Sequence, residues 1–349
     1  MNTRLNRFRI PHLHLVAAVV TAAALAACGG GSDSSSTVVS STTPTAPAGA
    51  AKVPTLPSGA SPAVTSANCA LLTAPALTPP VIEGADMQAV SDILLAVDRA
   101  HGYAEFARMP ATFMWWVRGS SAVDMLALGA AVHETNHKID STLRNVCNTD
   151  GLARFYANDQ VYVTDISRND RLANYSIAGE TYPAALKSSR SLRYDAYVTA
   201  SASSSGNDLS ILLDELNAYT GGANLEVRLY SSPSYAYLTT RADADIGGMV
   251  DFMLFFQSYL KAARLNYPAS YAKLETQART KAFMQFAWTR AESVLAAAYP
   301  YSTVAAASNP ARVPLDVIKA VYSAPFLQEL DMLGISHKNP ADWAATYLK

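Results

Sequence analysis

Two histidines four residues apart limit what this chain can build. Residues 128–140 read LGAAVHETNHKID, and His133 and His137 stand in a stretch with no charged residue from Met125 to Val132. At 100° per residue the two imidazoles project about 40° apart on one helical strip, above Leu126 and Ala130, with Glu134 about 60° further round. Ser121 with Asp124 three residues on predicts a capping box, and Asn148-Thr149-Asp150-Gly151 predicts the stop. Two imidazoles on one face can reach a single ion while the carboxylate between them addresses a water bound to it. The rival is a helix whose histidines are hydrogen-bonded in a core.

A catalytic metal of this kind wants a third protein ligand and one open position. The best source is GNDLSILLDELNAYTGG (206–222), read as a helix with Asn207 or Asp208 capping its start and Gly221-Gly222 ending it. On its wheel Ser210, Asp214 and Asn217 share a polar side, and Leu209, Leu212, Leu213 and Leu216 form the apolar stripe. Glu215 falls among Ile211, Leu212, Ala218 and Tyr219, a position that buries it, and a buried carboxylate needs a cation or several donors. A metal would satisfy it, and so would an arginine such as Arg193 or Arg241. Asp214 is the rival ligand.

His133-Glu134-Thr135-Asn136-His137 resembles the HExxH core of the zincin metallopeptidases, and DELNAY (214–219) looks like the glutamate helix of the gluzincin branch. The resemblance implies one zinc per chain held by His133, His137 and a downstream acid, here Glu215. It also implies Glu134 as the general base and a peptide or protein as substrate. Asp140 and Leu143 stand where another branch would carry Gly and His, so the third ligand is not a histidine of that kind. Lys138 occupies a place the longer pattern leaves uncharged. Tyr219 stands where the gluzincin pattern most often has an aspartate. Hydrolysis also needs a donor for the developing oxyanion, and Tyr219, one turn from Glu215 on the same face, is the first candidate.

The N-terminus gives an address. Arg4, Arg7 and Arg9 precede an apolar run from Leu15 to Leu25, which is too short to span a bilayer but suits the core of a signal peptide. Leu25-Ala26-Ala27-Cys28-Gly29 then resembles a bacterial lipobox, which implies cleavage after residue 27 and a diacylated Cys28. Gly29 is not the aspartate that retains such lipoproteins at the inner membrane, so the expected location is the outer membrane, on its periplasmic side or at the cell surface. Residues 28–67 are rich in Gly, Ser, Thr, Pro and Ala, nearly uncharged and without periodicity. They read as a disordered tether with a reach of roughly 35 Å.

The remaining 68–349 is long enough for one large domain or two packed lobes. Without the leader the chain has 24 basic and 28 acidic residues and no basic stripe, which leaves nucleic acid without an obvious foothold. Cys69 and Cys147 are the two cysteines left after Cys28, and in an oxidising compartment they are expected to pair, although Cys147 as a metal ligand is a weaker option. ARFYANDQVYVTDI, SLRYDAYVTASAS and TFMWWVRG (112–119) read as strands. After residue 240 the pattern is helical. The expected fold is α-rich α+β and zincin-like, with an active-site helix, a small sheet in a strand-containing part to about 205, and a helical part over 206–349. The alternative is a non-catalytic envelope lipoprotein that binds a partner or a cell-wall polymer, with at most a structural metal.

Overall fold

The computed structural model describes residues 62, 66–118, 124–167, 172–188, 193–199, 208–241, 243–308 and 315–341. The leader, Cys28, most of the tether and Ser121 lie outside them. Helices dominate, with one two-stranded antiparallel sheet. In chain order come α1 (Ser66–Thr73), α2 (Ala85–Val97), α3 (Gly102–Arg108), α4 (Pro110–Val117) and α5 (Leu128–Asn145). The hairpin β1 (Leu152–Ala157) and β2 (Gln160–Ser167) follows, then the short α6 (Ala178–Thr181) and α7 (Ala184–Lys187). Next are α8 (Leu209–Tyr230), α9 (Asp243–Asn266), α10 (Pro268–Thr276), α11 (Ala278–Ser308), α12 (Leu315–Val321) and α13 (Ala324–Met332).

The capping box expected of Ser121 lies outside the described residues, and the motif helix starts on Asp124 itself. Asp124 caps a 3₁₀ turn, Met125–Ala127, by accepting from the Leu126 amide, and α5 continues from it through both histidines. Asp208 caps α8 in the same way, accepting from the Ser210 amide. The hairpin turns on Asn158 and Asp159, at φ 53° and 55°. Two positive φ values in a two-residue loop suit the twist of the flanking strands, and Asn and Asp tolerate them best after glycine. The sheet then lays Phe155 flat on Phe283 of α11, ring centroids 4.1 Å apart, and Tyr162 on Phe286.

Three sequence expectations fail here. The described part of TFMWWVRG, 112–118, is not a strand but helix as far as Val117. Pro110 opens α4, and Phe113, Met114 and Val117 bury one helical face, so packing overrides the β preference of aromatic residues. The described part of SLRYDAYVTASAS, 193–199, is a π-helical turn over Tyr194–Val198. Its Tyr194 meets Tyr182 and its Tyr197 meets Phe252, a three-residue spacing that would put the two rings on opposite faces of a strand. Gly221-Gly222 does not end α8, which runs on to Tyr230. The glycines serve close approach instead. A methyl group on Gly222 would collide with the Asp245 carboxylate of α9 and lie 3.1 Å from the Gly129 carbonyl of α5.

Helix α8 packs on α5, α9 and α11 and is buried along most of its circumference. Its Leu212, Leu216 and Tyr219 join the larger core with Phe252, Phe256 and Trp288. Its Leu225 and Leu229 join a second core built from α2 to α5, with Leu94, Phe106 and Val132. The α5–α8 pair therefore runs along the seam between two apolar clusters, and polar residues placed there are shut away from water. Cys69 of α1 and Cys147, just past α5, form a disulfide, as expected.

Candidate metal centre

His133 and His137 of α5 and Glu215 of α8 meet in this seam, 7%, 7% and 3% exposed. His133 Nε2 and His137 Nε2 are 3.0 Å apart, and Glu215 Oε2 lies 3.9 Å from the first and 3.4 Å from the second. A circle through these three atoms has a radius of about 2.0 Å, which is the bond length zinc makes to imidazole nitrogen and carboxylate oxygen. Among the described residues Glu215 Oε2 has no hydrogen-bond donor. Among the described residues no Lys or Arg bridges Glu215: Arg193 pairs with Asp251 at 3.0 Å, and the Arg241 side chain lies outside the described residues. A buried, unsatisfied carboxylate oxygen facing two ring nitrogens is costly unless a cation stands between them. The donor set fits a metal ion, and these are the only three described residues that group in this way.

The nitrogens turned away from that point face carboxylates. His137 Nδ1 is 2.9 Å from Asp214 Oδ2, so Asp214 stands behind the imidazole and outside the group of three that could hold an ion. His133 Nδ1 is 3.5 Å from Asp245 Oδ1 at the start of α9. A hydrogen-bonded carboxylate such as Asp214 fixes the ring tautomer, whereas Asp245 faces His133 Nδ1 as a charge without a hydrogen bond to it. Asp245 escaped the sequence reading, although a signal was there. It lies one turn before Met249 and two before Phe252, on the buried stripe of its helix, and an acid on such a stripe asks for a partner.

Behind Asp214 the site continues into a buried polar network. Burial and the neighbouring Asp214 push the Asp140 carboxyl well up, whereas desolvation of Asp214 is outweighed by His137 and Asp140, which hold it down. Asp140 is thus the weaker acid of the two, and Asp214 the stronger one facing the imidazole. Asp140 also accepts from the Tyr156 amide at 2.6 Å. Asn217 donates to Asn136 Oδ1 at 2.9 Å and to the Tyr156 carbonyl at 2.9 Å, which ties the α5 histidine turn to α8 and the sheet.

Glu134 is 7% exposed; burial pushes its carboxyl up, while His133 and His137 pull it down. Tyr219 sets its ring edge-on to His133, centroids 4.2 Å apart, and stacks on Phe252 at 5.1 Å. The Arg193 guanidinium lies 5.5 Å from the Tyr219 ring centre. Burial lifts the Tyr219 phenol to about 12 against the pull of Arg193, so it remains a donor at neutral pH. Gly248 leaves room for this ring, since a methyl there would strike it.

No family model, no curated protein and no solved structure matches the chain. Geometry alone carries the reading of the site.

Proposed function

We propose that this chain is a zinc-dependent peptidase with a zincin-like, loosely gluzincin-like arrangement, held at the outer membrane by a lipid on Cys28. One observation carries the chemistry: two imidazole nitrogens and one orphaned carboxylate oxygen surround a common point at bonding distance for zinc. Two histidines and one glutamate leave a fourth position for water or substrate. Zinc bound there supplies Lewis acidity, polarising a carbonyl and acidifying a water. Glu134, adjoining the first ligand, takes the proton of the attacking water and returns it to the leaving nitrogen. The Tyr219 phenol, steadied by Arg193, donates to the carbonyl oxygen as negative charge builds on it. Asp214 and Asp245 keep the two imidazoles aimed.

The membrane assignment rests on the order of basic start, short apolar run, small residues and Cys28. Among the described residues no helix is long and apolar enough to cross a bilayer. Depth favours one second reading. With its ligands 3–7% exposed, the centre also suits a structural metal in a lipoprotein that binds an envelope partner without turnover.

Metal analysis and a peptide-library assay separate the two. The peptidase reading expects about one zinc per chain, lost in His137→Ala and kept in Glu134→Ala, with hydrolysis gone in both. Zinc without hydrolysis in the unmodified protein supports the structural reading. Absence of metal ends the peptidase reading and favours a binding lipoprotein that needs no metal.

A further inference from the structure

A cleft of about 660 Å³ lies on the side of α8 away from the metal ligands. Asn224 and Arg228 line it nine and thirteen residues beyond Glu215, roughly half a turn round the helix axis from that carboxylate. The facing wall is α11, with Phe286, Arg290 and Val294, and His101 adds an imidazole. Among the described residues no Asp or Glu lines the cleft, in a chain with 28 of them. Its size and mixed lining are those of a small-molecule pocket.

Arg290 is the unusual member. It is 8% exposed, and its Nη1 donates to Asn217 Oδ1 at 2.8 Å. Its Nε and Nη2 have no acceptor among the described residues. Three acids lie near enough to act on it through space, and none is hydrogen-bonded to it: Glu105 accepts from Asn136 through Oε1 while its Oε2 has no partner among the described residues, Asp98 accepts from Gly102 and Asn224, and Asp140 accepts from Tyr156 and Asn217. Burial raises all three and takes Glu105 to about 8, which weakens them as counter-ions. Burial and the two arginines push His101 down to about 3, so it is a neutral imidazole, and its Nδ1 has no hydrogen bond. A buried guanidinium with two of its three nitrogens unmatched, in an acid-free wall beside a second arginine, is short of an anion.

We propose that this cleft binds a small organic oxyanion, its charged end on Arg228 and Arg290 and its apolar body against Phe286, Val227 and Val294. Arg228 is exposed and makes the first contact, and Arg290, whose free nitrogens are shielded, turns outward to complete the pair. The site is separate from the metal centre and does not depend on the peptidase reading.

Calorimetric titration of the full chain tests this, after chelator treatment so that no metal contributes anion binding, with benzoate and inorganic phosphate as probes. Saturable benzoate binding, tighter than phosphate and weakened at least about tenfold in Arg228→Glu, is the expected result. Arg228 is exposed, so this variant keeps the fold, which a melting curve checks. Arg290→Gln should show the same loss wherever it melts like the parent. No saturation by benzoate at about 10 mM, phosphate binding as tight as benzoate, or binding untouched in Arg228→Glu would each overturn the assignment.

Discussion

His133 and His137 each turn one nitrogen towards Glu215 and the other towards an aspartate, Asp214 at hydrogen-bonding distance and Asp245 at 3.5 Å. Replacing Asp214 or Asp245 with Asn preserves shape but removes the charge that favours a coordinating tautomer. Each change should weaken zinc binding by about 10–100-fold while leaving the far-ultraviolet spectrum intact, as competition with a chromophoric chelator would show. Unchanged affinity in both variants would mean the carboxylates serve packing alone. Glu105 gives a different test, since it is fully buried and its acidity is shifted from an ordinary 4.5 to about 8. A group whose folded value is raised adds stability below its unfolded value, and that stability is lost as pH climbs through the folded value. Glu105→Gln should therefore melt above the parent at about pH 9, with the gap closing towards about pH 5. Parallel melting curves across that range would show Glu105 ionising freely.

Elements that a local window defines were legible in the chain; elements that depend on a distant partner were not. Helix α5, the capped start of α8 and the strand character of ARFYANDQVYVTDI follow from periodicity, caps and alternation within a few positions, whereas the turn at Asn158–Asp159 inside that stretch was not read. The end of α8 did not. Gly221-Gly222 reads as a stop until Asp245, more than twenty residues on, is seen filling the space where a side chain would stand. The same holds for Tyr194–Val198, whose rings answer to Tyr182 and Phe252 and not to each other. At the site, the two histidines of the buried cluster and the glutamate between them could be read from five consecutive residues. Glu215 needed the wheel argument, and Asp245 needed the assembled α5–α8–α9 contact. That contact is testable. Gly222→Ala must push Asp245 away or part the helices, at a cost of about 1–3 kcal/mol in chemical denaturation, and should lower zinc affinity in step. Loss of stability without loss of affinity would show that Asp245 does not steady His133.

Across the whole molecule, α5 is held at three places: by α8 along its length, by the hairpin through Asp140 and Tyr156, and at its far end by Cys69–Cys147. The bond joins residues 78 apart and encloses α1 to α5, so the loop it closes in the unfolded chain is long. Cys69→Ser with Cys147→Ser should cost about 3–5 kcal/mol, read as a lower denaturant midpoint that added reductant reproduces in the parent but not in the variant. Equal midpoints would make the bond incidental to stability. Arg108 reinforces the same corner by donating to the Leu71 carbonyl and to Asp159. This staple also bears on how the protein has to be produced. Material expressed without export into an oxidising space would carry two thiols at the foot of the histidine helix, and a failed assay on such a preparation would describe its manufacture and not its chemistry.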